Sequence, residues 1–146
     1  MLEMWEIIKI VCLTVYLTLL SLLDVKYKKV PVSISIIAII TGAILVVASK
    51  TSLIGTVIAL APGIIVLLFA IITKQAIGYG DALAILVMGF FVSCQSILIS
   101  LFAAITISGI VALVMLLIFH KGKNTELAFI PFLLIGFIIE KGIVCG

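Results

Sequence analysis

The chain has 146 residues, of which 66% are hydrophobic and only 10% are charged. A soluble domain of this length needs a largely polar surface, so this composition excludes one and indicates a membrane protein. All nine basic residues are lysines and the net charge is only +3, so we expect no nucleic-acid partner.

Long apolar runs predict the elements of the fold. A spanning helix needs roughly 20 apolar residues, so the chain has room for about six with short connections. The predicted spans are, in chain order, residues 5–23, 31–48, 53–72, 82–95, 97–119 and 127–144. The fourth is short, and three alternatives stay open for it: a start before Asp81, a tilt, or a tight turn at Ser93–Ser96 shared with the fifth. The first run lacks the cleavage site of a secretion signal, so we expect a retained helix. The expected fold is all-α and polytopic, with residues 1–146 forming a single integral-membrane domain.

Lysines are distributed unevenly between the two ends of these predicted helices. Six lie in the connections at one end, and three lie at the other end, counting both termini. The positive-inside rule places the lysine-rich end in the cytoplasm and both termini outside.

Glycines within the spans are candidates for sites where two helices approach closely. Because glycine is common in membrane helices, each position has a plain alternative without such a contact. The candidate positions are Gly42, Gly55, Gly63, Gly89, Gly109 and Gly136.

Cysteine and histidine are too sparse for most metal sites. Cys12, Cys94 and Cys145 lie far apart without a CxxC pair, and His120 is the single histidine. This spacing disfavours zinc and redox chemistry. We expect neither a metal nor a cofactor.

The two aspartates of the chain stand at helix ends that the predicted topology brings to one membrane face. Asp24 ends the first span, in SLLDVKYKKVP, and Asp81 opens the fourth, in GYGDALA. Carboxylates in or beside a span are functional-site hypotheses by default. The alternatives are a helix N-cap for Asp81 and a solvated charge among lysines for Asp24.

A pair of carboxyl groups suits the hydrolysis of a peptide bond by water. Like charges a few ångströms apart cannot both ionise easily, so the pair shares a proton. The ionised member takes a proton from the attacking water, and the protonated member donates to the oxyanion or leaving amine. Since a helix N-terminus stabilises an anion and a C-terminus disfavours it, we expect Asp81 to be the base and Asp24 to carry the proton.

The residues before Asp81 predict room for a substrate backbone. Gly78 and Gly80 tolerate backbone angles that other residues resist, and they leave space beside the carboxylate. A substrate helix must unwind before its carbonyl is attacked, and an extended segment could approach here. Tyr79 is a candidate for stacking on substrate, with an interfacial aromatic as the alternative.

These motifs together resemble the type IV prepilin peptidases, a family of GxGD intramembrane aspartic proteases. Asp24, followed by lysines and Val30–Pro31, resembles the first-aspartate motif, and GYGD (Gly78–Asp81) resembles the second. AFIPFLLIG (Ala128–Gly136) resembles a late segment with a proline–phenylalanine pair. The resemblance carries catalytic roles over to Asp24 and Asp81. The chain departs from the family pattern at Val32, where many members have Asn, and at Leu83, where many have Lys.

The resemblance implies more than the residues alone predict. Such enzymes reside in the bacterial plasma membrane and remove the basic leader of type IV pilin-like preproteins, after a glycine, at the cytoplasmic face. The expected partners are such a preprotein and membrane lipids. This chain resembles the short, peptidase-only forms because it has no CxxC insert, so we expect no N-methyltransferase activity.

Two alternatives stay open at this point. The rival class is a non-enzymatic transporter or a pilin-assembly scaffold subunit. Carriers often bind ions near the midplane, whereas both aspartates are predicted near one face, which favours the protease. For leader binding, Glu126 could attract basic residues, or it could be a plain solvated charge.

Overall fold

The computed structural model describes residues 2–74, 78–119 and 127–146. Within these ranges the protein is all-helical, with six helices and no strand, which confirms the expected fold class. The helices are α1 (Leu2–Tyr27), α2 (Val32–Ala48), α3 (Leu53–Ile72), α4 (Tyr79–Phe91), α5 (Cys94–Ile118) and α6 (Ile130–Cys145).

The boundary between the fourth and fifth helices differs from the predicted one. The predicted fourth span includes Cys94, whereas in the structure α4 ends at Phe91 and Cys94 opens α5. Ser93 is the N-cap of α5, because its side-chain oxygen accepts a hydrogen bond from the backbone N–H of Ser96. This serine cap is a recognised helix start that the hydropathy of the run conceals.

The outer surface of the bundle is apolar. Three helices are long and apolar enough to cross a membrane, namely Glu3–Tyr27, Leu53–Ile72 and Cys94–Ile118, and α2 and α4 are shorter apolar helices. Large apolar side chains stand exposed along most helices. In water such a continuous apolar surface would drive association. The protein is therefore a polytopic membrane protein.

The shortest helix, α4, lies in the interior of the bundle. It packs against α1, α2, α3 and α5. Its buried residues are Ala82, Ala84, Ile85, Val87, Met88, Gly89 and Phe91. They occupy both faces of the helix, as expected for a helix surrounded by protein. This central helix carries Asp81 in its first turn.

Two glycines allow α3 and α4 to pack closely. A Cβ on Gly63 would lie 2.7 Å from the backbone nitrogen of Leu86, and a Cβ on Gly89 would lie 2.8 Å from the backbone oxygen of Ala59. Each helix thus contributes a glycine to the same interface. The contact confirms the prediction of close approach at these two positions.

The other four glycine predictions divide evenly. A Cβ on Gly42 would lie 2.6 Å from the Cβ of Phe90, and Gly136 faces the backbone of α5 at similar range. The prediction is wrong for Gly55 and Gly109. Among the described residues, a Cβ added at Gly55 would meet only Ser52 of its own turn, and a Cβ added at Gly109 would meet nothing within 4 Å. Gly109 lies on the exposed side of α5.

Candidate active site

A cavity of about 630 Å³ opens at the end of the bundle where α1 ends and α4 and α6 begin. Its walls are formed by Asp24, Lys28, Lys29, Val30, Gly78, Tyr79, Gly80, Asp81, Leu127, Ala128 and Phe129. All the predicted site residues are among them. The cavity is therefore bounded by the end of α1 with the α1–α2 connection, by the first turn of α4, and by the segment before α6.

Asp24 stands in the last turn of α1, because that helix continues to Tyr27 beyond its predicted end. It is only 8% exposed. Its Oδ2 accepts a hydrogen bond of 3.4 Å from the backbone N–H of Ile130, the first residue of α6. This burial argues against the alternative of a freely solvated charge. The bond also ties the end of α1 to the start of α6.

Asp81 lies in the first turn of α4 and is half-buried. The N-cap of this helix is Gly78, and it forms no side-chain capping bond, so Asp81 is not the N-cap of the alternative interpretation. Its carboxyl group turns back toward Gly78, where an added Cβ would lie 3.2 Å from Oδ2. Asp81 and Asp24 line the same cavity, so two carboxyl groups from separate helices face one space.

Gly80 packs closely against another segment of the chain, a contact that the sequence did not indicate. A Cβ at this position would lie 2.5 Å from the Cβ of Val30, in the α1–α2 connection. On that side the space beside Gly80 is therefore filled by protein. The glycine lets this connection pack against the first turn of α4, next to Asp81. Its predicted role in substrate approach remains a prediction.

Several site features were missed from the sequence. Lys28 and Lys29 line the cavity, although the lysine distribution indicated only membrane orientation. The Ile130 N–H was also missed. Its signal is the adjacent Pro131, which favours a helix start and so places unpaired N–H groups nearby. Glu126, the candidate for leader attraction, lies outside the described residues.

Metal ligation is not indicated in the part of the chain that the structure describes. No group of three or more His, Cys, Asp and Glu side chains is close enough there to hold an ion. The titratable side chains that line the cavity are those of Asp24, Asp81, Lys28, Lys29 and Tyr79.

The fold and the site together define a polytopic membrane protein with two carboxyl groups, from separate helices, in one cavity at the end of the bundle. The sequence model of the type IV leader peptidase family matches residues 11–114. This range is well over half of the chain and includes both aspartates, so the chain belongs to that family and is a membrane peptidase. No curated protein and no solved structure matches the chain.

Proposed function

We propose that the protein is an aspartic endopeptidase that removes the basic leader of type IV pilin-like preproteins, cutting after a glycine at the cytoplasmic face of a bacterial plasma membrane. One observation carries the proposal: Asp24 and Asp81, distant in sequence, line the same cavity. Family membership supports leader peptidase activity in general.

In the proposed mechanism, water is the nucleophile and the two carboxyl groups share one proton. The ionised group accepts a proton from water as its oxygen attacks the scissile carbonyl carbon. The other group donates its proton to the carbonyl oxygen or to the departing amine. These transfers balance without a cofactor, and the products are a new carboxyl terminus and a new amino terminus.

The shared proton belongs to the pair of aspartates and not to one of them. Asp24 accepts a hydrogen bond from the Ile130 N–H, and Asp81 lies at the N-terminus of α4. Each carboxyl group therefore has one feature that stabilises its ionised form. The pair is best treated as one unit with two macroscopic protonation steps.

The shape of the site supports cleavage at a membrane boundary. The cavity lies at one end of the bundle, and Tyr79 at its wall is 39% exposed. A substrate can keep its apolar helix in the lipid while the extended segment before that helix enters the cavity. Lys28 and Lys29 would repel a basic leader, so we infer that the basic side chains point away from that wall.

The rival interpretations are less well supported. A proton-coupled carrier is expected to hold its carboxylates near the midplane, whereas this pair lies at the end of α1 and the start of α4. A scaffold subunit would need no shared cavity for its aspartates. The proposed activity is limited to peptide cleavage, since the chain has no CxxC pair.

Cleavage of a co-expressed pilin-like precursor tests the proposal. We expect a shortened product whose new N-terminus, determined by sequencing, directly follows a glycine and directly precedes the apolar helix. A precursor with that glycine replaced by a bulky residue is the matched control and should remain uncut. If several candidate precursors all remain uncut, the proposal is wrong, and the scaffold or transporter interpretation is favoured instead.

A further inference from the structure

A second cavity, whose mostly apolar wall carries several polar side chains, lies at the opposite end of the bundle. Its volume is about 200 Å³, and its polar side chains are those of Glu6, Lys9, Thr51, Thr56 and Ser93. Lys9 precedes Asp24 by 15 residues of the same helix. At a rise of 1.5 Å per residue, this separates the two cavities by about 22 Å along α1. The second cavity is therefore not part of the candidate active site.

Lys9 is the unusual residue of this cavity. It is only 2% exposed, although a lysine within a membrane helix is costly to bury. Its Nζ donates a hydrogen bond of 2.6 Å to Oγ1 of Thr51 and lies 3.6 Å from Oε1 of Glu6. An ammonium group has three protons to donate. Within the described residues, one of them is used at hydrogen-bonding distance.

Glu6 complements this buried cation. The side chain of Glu6 is 62% exposed, whereas that of Lys9 is 3% exposed, so the carboxylate stands at the mouth and the ammonium stands inside. The cavity therefore presents a cation and an anion side by side, at two depths. A matching ligand carries an anion that enters first and a cation next to it that stays at the mouth.

We propose that this cavity binds the headgroup of a phospholipid that carries a primary ammonium group next to its phosphate. The phosphate accepts hydrogen bonds from Lys9, and the ammonium pairs with Glu6. The rest of the wall includes apolar residues such as Phe90 and Phe91, which suit the start of the acyl chains. This inference is independent of the proposed peptidase activity.

The arrangement predicts an order among common phospholipids. Phosphatidylethanolamine supplies both charges and three N–H donors. Phosphatidylglycerol supplies the phosphate but brings no cation of its own to Glu6. Phosphatidylcholine offers a methylated ammonium that cannot donate a hydrogen bond. Phosphatidylethanolamine is therefore expected to be retained best.

Native mass spectrometry of the purified, full-length protein tests this order. The protein is delipidated and returned to detergent micelles with equal amounts of the three lipids. We expect phosphatidylethanolamine to be retained roughly fivefold more than either of the other two lipids. This is the ratio expected from about one additional charge contact at a membrane surface. Lys9→Gln should lose this retention. Lys50→Gln, at an exposed lysine of the same end of the bundle, is the matched control and should retain it.

Glu6→Gln is the decisive variant because glutamine keeps the size and polarity of this exposed side chain, and its thermal unfolding is measured beside that of the wild type to verify the fold. It should abolish the preference for phosphatidylethanolamine over phosphatidylglycerol. Equal retention of all three lipids by the wild type, or an unchanged preference in Glu6→Gln, overturns the proposal. Displacement of the lipid by an equal concentration of soluble glycerophosphoethanolamine would also overturn it, because the ligand would then be a free headgroup and not a lipid.

Discussion

The side chain of Val30 occupies the space that a side chain on Gly80 would need, since a Cβ at position 80 would lie 2.5 Å from the Val30 Cβ. The two residues belong to different parts of the site. Val30 follows Asp24 in the α1–α2 connection, and Gly80 precedes Asp81 in the first turn of α4. Their contact therefore sets how closely the two aspartate-bearing segments approach each other.

A methyl group at position 80 is expected to separate these segments. Gly80→Ala should destabilise the protein by about 1–3 kcal/mol through overpacking and should reduce cleavage. Val30→Ala in the same chain removes two methyl groups from the contact, so the double variant should recover part of both losses. Cleavage rate and thermal unfolding are the measurements. Failure of Val30→Ala to restore anything would show that Gly80 acts through another contact.

The interface between α3 and α4 gives a prediction on stability. Gly63→Ala places a Cβ against the backbone of Leu86, which cannot move like a side chain, so we expect a loss of about 1–3 kcal/mol. Gly109→Ala is the matched control, because nothing described lies within 4 Å of a Cβ there. It should be neutral or slightly stabilising. Equal unfolding midpoints for the two variants would contradict the close packing.

A buried hydrogen bond between α1 and α2 can be measured by a double-mutant cycle. The Tyr16 and Ser35 hydroxyl groups lie 3.0 Å apart. Ser35→Ala should cost about 1–2 kcal/mol because it leaves a buried phenol unpaired. Tyr16→Phe should cost less, since a helical serine can turn to the carbonyl four residues earlier. The double variant should cost less than the sum. If the free-energy losses of the two single variants add fully in the double variant, the hydrogen bond is excluded. Ser33→Ala, at an exposed serine of the same helix, is the control for the change in helix propensity.

The buried Glu140 gives a prediction in which two substitutions have different effects. Glu140 is 2% exposed, and its Oε1 accepts a hydrogen bond of 2.9 Å from Ser96. Ser96→Ala removes that donor and should destabilise by about 1–3 kcal/mol. Glu140→Gln keeps an acceptor for Ser96 but removes the ion partner of Lys141, whose Nζ lies 3.3 Å from Oε2. Because the Lys141 side chain is partly exposed and can be solvated, this loss should be smaller than that of Ser96→Ala. Ser108→Ala, whose hydroxyl bonds only within its own helix, is the control. Unfolding in detergent distinguishes these outcomes.

The helices and the aspartate pair were predictable because their signals are strong. Long apolar runs define helices whatever their neighbours are. Asp24 lies at the end of α1 and Asp81 at the start of α4, with two helices between them. In a bundle with short connections, two crossings return the chain to the same end. The α4–α5 boundary was not predictable from hydropathy because both sides are apolar. It depends on the Ser93 cap, a local hydrogen bond.

The burial of Lys9 and Glu140 could not be predicted from the sequence. Each lies near a chain terminus in an apolar run, where a charged residue ordinarily reaches the membrane surface. Their burial depends on which hydroxyl groups the packed bundle brings to them, Thr51 for Lys9 and Ser96 for Glu140. Such contacts join residues more than 40 positions apart. The Val30–Gly80 contact is likewise set by tertiary packing.

The central claim is that Asp24 and Asp81 act together on one water molecule. The most direct test compares cleavage of a pilin-like precursor by the wild type, Asp24→Asn and Asp81→Asn, with equal expression and thermal stability verified for each. Asparagine preserves size and polarity but cannot exchange a proton. We predict that wild type cleaves and that each single substitution abolishes cleavage. Cleavage that survives either substitution in a folded protein would contradict the two-aspartate mechanism.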